Sequence, residues 1–243
     1  MNIVNQIYNS IIIFSYLKFI HICSFKIVDI AYTLHYVFPF VFVLLKENIV
    51  LNILYPENNN EIINCFTSSV HAVILVVASS LFLQGIIDNN IFDIVLDYSL
   101  VYNIYDIKFI ITHGSRIKHQ MLFHHFLLIL CIFIKQYCDV PHNYSHYVAL
   151  NFLSEITTVP LNYSWNLYLQ NKTDTHIFAL FNILTLVLYV PFRIILNLYL
   201  VYDQHYHLDT NLKYCQFLLM FLNFFWFYKM SLMVVKNVIK LYK

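Results

Sequence analysis

The chain has 243 residues, of which 60% are apolar and only 11% charged, and its net charge is +1. A soluble domain carries roughly 25% charged residues, so this chain lacks the polar surface to cover itself and its apolar surface faces lipid. The near-neutral charge excludes a nucleic-acid footprint. The five cysteines form no CxxC pair and read as small apolar filler, not as a disulfide framework or a metal site.

A bilayer core about 30 Å thick needs ~20 mostly apolar residues per helix. In chain order, such stretches fall at 30–45, 65–84, 91–112, 118–136, 147–169, 177–202 and 214–235. A weaker one at 7–25, interrupted by Lys18 and His21, adds an eighth. No basic region precedes the first apolar run and no small-residue cleavage site follows it, which argues against a cleaved signal peptide. The intervening segments are short and carry Asn, Asp, Pro and Gly, as turns should. The expected fold is an all-α, polytopic transmembrane bundle of about seven spanning helices, six to eight by the same length rule. Residues 1–63 form N-terminal membrane segments and a cytosolic loop, and residues 64–243 the main transmembrane domain.

Lys and Arg in short loops set orientation. Lys229 lies near the end of the last apolar stretch, and Lys236, Lys240 and Lys243 follow it, so the C-terminus is expected in the cytosol. The segments 46–64, 113–117 and 170–176 are then cytosolic, and 85–90, 137–146 and 203–213 lumenal or external. The sequon at Asn171 is cytosolic and unused, and the one at Asn143 is lumenal.

An ionisable group at membrane depth costs about 3 kcal/mol or more and is a functional candidate by default. With ~1.5 Å rise per residue, His71, Asp106, the pair His124 and His125, Asn162 and Asn182 are all expected roughly 8–11 Å below the cytosolic surface. Tyr102, Tyr105 and Asp106 share one helix face. His124 and His125 are adjacent and diverge by ~100°, so one points into the bundle and the other to a helix–helix seam. A carboxylate beside an imidazole can fix its tautomer and raise its basicity. The layer is therefore either a hydrogen-bonded network that fixes helix register or a reactive site, with His124, His125 and Asp106 as catalytic candidates. No expected helix shows the i, i+4 histidine pair that metal sites often use. Glu155 and Arg193, the deepest charges, are expected to pair across helices or to anchor a lipid phosphate. Pro160 and Pro191 fall inside spans, where a kink widens a bundle locally.

Six segments in order carry a family likeness: "SSVHAVI" from Ser68, "YNIYDI" from Tyr102, "MLFHHFLLIL" from Met121, "LSEITTVPLNYSW" from Leu153, "FNILTLVLYVPFRI" from Phe181 and "LNFFWFYKM" from Leu222. In these the stretch from Asn64 onward resembles the TLC domain, shared by ceramide synthases and translocating-chain-associated membrane proteins, and most resembles the transmembrane protein 56-like branch. The resemblance implies a compact helical bundle that handles membrane lipids, at the endoplasmic reticulum or another internal membrane (a host membrane if the source is viral). His71, Tyr105, Glu155, Asn162, Asn182 and Arg193 are the candidate lipid contacts, and no cofactor is implied. His124 and His125 match family positions implicated in acyl transfer, which implies an alternative as an acyltransferase with acyl-CoA as co-substrate. The His-Asp step of ceramide synthases has no counterpart here, and Asp106 is the geometric substitute. A third implication is a helper of protein insertion.

Overall fold

The computed structural model describes residues 60–113, 118–137, 143–207 and 212–241. The stretches expected at 7–25 and 30–45 lie outside these residues. Six helical rods follow one another: α1 (Asn60–Leu83), α2 (Asn89–His113), α3 (Lys118–Tyr137), a fourth rod over 144–169, a fifth over 176–207, and α8 (Leu212–Leu241). The fourth is α4 (Tyr144–Leu153), a 3₁₀ turn (Ser154–Thr157) and α5 (Thr158–Leu169). The fifth is α6 (His176–Tyr189), a π turn (Val190–Ile195) and α7 (Leu196–His207).

Local chemistry sets the turns. Gly85, at φ +72°, ends α1 in a Schellman motif: its N–H donates to Phe82 O, and that of Ile86 to Leu81 O, both at 2.9 Å. Asp88 then caps α2, its Oδ1 accepting from Ile91 N at 2.9 Å. The 169–176 connection repeats the device. Asn171 (φ +56°) stands where glycine would, with Asn171 N donating to Tyr168 O and Lys172 N to Leu167 O. Thr175 caps α6.

Contacts between successive rods show that each runs antiparallel to the last. Asn64, early in α1, reaches Asp106, late in α2, while Phe82 at the other end stacks on Phe92. His125 meets Asp106 near one end of the α2–α3 pair, and Lys135 meets Asp93 near the other. Tyr163 packs on Phe181 where rods four and five turn, and Gln216 bonds Asn197 across rods five and six. We call the end where α1 begins end A and the other end B.

The burial pattern is inverted relative to a soluble protein. On α1, Phe66, Val73 and Val77 face out, while Thr67, His71 and Ser79 are buried. On α3, Phe123, Phe126 and Phe133 face out, and His124 and His125 are buried. On rod five, Leu180, Leu184 and Val187 face out, while Asn182, Thr185, Arg193 and Asn197 are buried. In lipid, helix association gains little from the hydrophobic effect and relies on close packing and interhelical hydrogen bonds. An apolar core of Leu75, Phe92, Leu96, Ile132, Tyr147, Phe152 and Leu200 fills the end-B half. Polar networks occupy the centre and the end-A half, and further polar pairs, such as Asn151 with Gln216 and Tyr147 with Asp203, lie toward end B.

Among the described residues, three rods are long and apolar enough by themselves to cross a membrane: Glu61–Leu83, His176–Gln204 and Lys213–Val235. The expected count of about seven is thus supported for three. The difference has physical causes. Asp93, Asp97, Asp106 and Lys108 dilute α2, Lys118 and Lys135 leave α3 only the apolar stretch His119–Lys135, and the 3₁₀ turn divides rod four.

Candidate functional site

Two polar networks meet inside the bundle. The first joins α1, α2 and α3. His125 Nδ1 lies 2.6 Å from Asn103 Oδ1, and its Nε2 lies 2.6 Å from Asp106 Oδ2. Asn103 Nδ2 donates to Ser99 O at 2.7 Å, which turns its Oδ1 toward the ring and makes His125 Nδ1 the hydrogen-bearing nitrogen. Nδ1 of His125 is therefore committed to Asn103, whereas its Nε2 stands at ion-pair distance from Asp106 without hydrogen-bond geometry. Asn64 Nδ2 donates to Asp106 Oδ1 at 2.9 Å, and the Tyr105 hydroxyl reaches Asn64 Oδ1 at 3.4 Å. His71 Nε2 is 3.2 Å from Ser99 Oγ, and its ring stacks on Tyr102 at 3.7 Å between centroids.

The second network is built where two helices break. Proline has no N–H to donate and its ring crowds the carbonyl four residues back. Pro160 follows the 3₁₀ turn, and Pro191 lies in the π turn. The turns face each other and carry the two deepest charges. Arg193 Nη2 lies 2.9 Å from Glu155 Oε1 and 3.2 Å from Thr158 Oγ1. Its Nε donates to Thr157 Oγ1 at 2.9 Å and to Ser154 O at 3.2 Å, a carbonyl left accessible by the 3₁₀ turn. Thr158 Oγ1 donates to Glu155 Oε2 at 2.7 Å, so both carboxylate oxygens are engaged. Among the described residues, Nη1 of Arg193 has no hydrogen-bond partner.

Rod five needs its π turn for a further reason. Thr185, Tyr189, Arg193 and Asn197 are all buried, yet they lie four apart three times running. Those twelve residues fill three turns, where an α-helix holds about 10.8. The wide turn absorbs the extra residue and keeps all four side chains on the inner face.

A narrow slot lies beside this ion pair, lined by His124, Ser154, Glu155, Arg193, Asn197, Asn223 and neighbouring apolar residues. A second slot adjoins it toward end B and is mostly apolar. The two share Leu128, Asn151, Phe152 and Leu219 as walls. Two buried polar atoms of the first slot's lining have no partner: His124 Nδ1 and Asn197 Nδ2. The His124 ring also meets Trp226 edge-on at 5.2 Å.

The expected residues sort as follows. His71, Tyr105, Asp106 and His125 are brought into one network. His124 diverges from His125, as adjacent helical residues must, and faces the slot and α8. Glu155 and Arg193 pair with each other deeper in the bundle. Asn162 joins α1 instead, donating to Cys65 O at 3.1 Å and Ser69 Oγ at 3.2 Å. Asn182 is the exception to the shared layer: its amide donates to Phe178 O, one turn back in its own helix, because the nearest acceptor for a buried Asn is the i−4 carbonyl. The sequence reading missed Asn103, Ser99, Asn151, Asn197 and Gln216. Spacing held a signal for four of them. Ser99, Asn103 and Asp106 fall at i, i+4 and i+7 of one face, Asn151 lies four before Glu155, and Asn197 four after Arg193.

Comparison with known proteins gives one finding of family: residues 57–232 match the TLC domain. No curated protein and no solved structure matches the chain. That match spans well over half of the sequence, and with three rods able to cross a bilayer the chain is a membrane protein that belongs to the TLC-domain family.

Proposed function

We propose that this protein holds a membrane lipid inside its bundle and so takes part in binding, sensing or moving that lipid, as a member of the transmembrane protein 56-like branch in an internal membrane, with its C-terminus in the cytosol. The observation that carries the reading is the pair of adjoining slots: a mostly apolar one toward end B, sharing walls with one whose lining includes a buried charge pair and two unpartnered polar atoms. A charge at this depth is expensive, and its proximity to open space with unmet hydrogen-bonding capacity fits an amphiphile whose tail takes the apolar slot. Purification in mild detergent, followed by mass spectrometry of the lipids that remain bound, tests this. One lipid class should be enriched over the surrounding membrane and lost on Leu219→Trp, which fills the shared wall. Identical bulk lipid in both would sink it.

One observation favours a second reading, acyl transfer. His124 Nδ1 is buried, unpartnered and on the slot. It lines the slot, as His125 does not, so in this reading His124 is the base, and His125 and Asp106 position it. His124 would take a proton from a hydroxyl or amine, whose oxygen or nitrogen bonds the acyl carbon of acyl-CoA while the CoA thiolate leaves and recovers that proton. Lipid profiles of cells making wild type or His124→Ala at equal level decide the matter. A product seen only with wild type supports transfer, and matching profiles exclude it.

A further inference from the structure

The orientation of three amides near the slot follows from their hydrogen bonds. Asn151 Nδ2 donates to Tyr147 O at 3.2 Å, and also to Gln216 Oε1 at 2.7 Å. Gln216 therefore presents its Nε2 to Asn197, where Oδ1 accepts at 2.7 Å. That leaves the other Asn197 atom, Nδ2, as a donor with nothing to donate to. Asn197 is 1% exposed and Arg193 5%, and both line the slot. Arg193 has donors only, and its Nη1 takes no hydrogen bond among the described residues. The polar end of the slot thus offers at least two donors to an acceptor.

Charge decides what kind of acceptor. Arg193 is already neutralised by Glu155 at 2.9 Å. A phosphate or free carboxylate would lie beside that carboxylate in the middle of a membrane with no cation to spare, and each uncompensated buried charge costs several kcal/mol. A neutral carbonyl accepts the same hydrogen bonds without that penalty. The adjoining slot is mostly apolar, which suits one acyl chain attached to that carbonyl. We propose that the slot binds the neutral carbonyl of a single acyl chain, an ester or amide, through Asn197 and Arg193, with the chain running toward end B between α3, α4, α7 and α8. This rests on the lipid-holding reading above.

Competition for a photoreactive fatty acyl methyl ester on the purified full chain tests it. Unlabelled methyl ester and N-alkyl amide should protect, and hexadecyl phosphate should not. Asn197→Leu should weaken ester binding roughly ten- to a hundredfold, the cost of one lost buried hydrogen bond, while leaving hexadecane binding unchanged. If Asn197→Leu does not fold, the wild type alone suffices: a ¹³C-carbonyl ester should absorb at lower wavenumber when bound than in detergent. Protection by hexadecyl phosphate at least equal to that by the ester overturns the carbonyl assignment and leaves the lipid-holding reading standing. An unshifted carbonyl band does the same. Specific labelling of the slot by none of these chains overturns both.

Discussion

Arg193 and Glu155 show what a single residue does at this depth. Each is buried, and each is almost wholly satisfied by the other and by Ser154, Thr157 and Thr158. Removing one partner strands the other, so Arg193→Met should cost about 3–5 kcal/mol of stability in detergent unfolding. Pairing it with Glu155→Gln should recover much of that loss, because no charge is then left unpaired. Equal losses from single and double variants would mean that packing, not charge, dominates there. A smaller effect is expected at Asn103. Asn103→Leu leaves the His125 Nδ1–H without an acceptor and should cost about 1–3 kcal/mol, measured the same way. At this scale the sequence was informative about charges and poor about amides. Asp106, His125, Glu155 and Arg193 stand out because ionisable groups are rare in spans. Asn103 and Asn197 do not, since the chain is rich in asparagine and only their partners reveal which amides matter.

Helix boundaries were legible to within about six residues, because apolar runs and turn residues mark them. The 3₁₀ and π turns were not. Pro160 and Pro191 announced distortions without saying which kind. The clue to the π turn lay in the four-residue spacing of Thr185, Tyr189, Arg193 and Asn197, visible only once burial is known. Deletion of Val190 should therefore be better tolerated than deletion of Leu184, although both are outward-facing. The first leaves eleven residues across three turns, close to the 10.8 of a regular helix, and lets rod five continue as plain α. The second rotates Phe178 and Asn182 off the inner face by ~100°. Thermal stability by fluorescence-detected gel filtration separates the two, and equal losses would contradict the periodicity argument. At the end of α1, a Cβ on Gly85 meets nothing within 4 Å, so Gly85→Ala should cost only the left-handed backbone term, about 1–2 kcal/mol.

For the whole molecule, composition alone called for a lipid-facing exterior, and the outward aliphatic and aromatic side chains of the rods agree with it. The assembly of networks from different rods was beyond composition, because helix rotation decides which side chains meet. The predicted cytosolic placement of end A is checked by glycosylation mapping: the exposed Asn171 sequon should stay unmodified, and its modification would reverse the orientation. The claim on which the functional reading depends is that a lipid chain occupies the slots between α3, α4, α7 and α8. Photocrosslinking with a diazirine-bearing acyl ester in bilayers, mapped by peptide mass spectrometry, tests it most directly. Label should appear on Leu128, Phe152 and Leu219 and disappear with excess unlabelled ester. Label confined to outward residues such as Phe221 and Phe224, and insensitive to competition, would show that lipid only surrounds this bundle and never enters it.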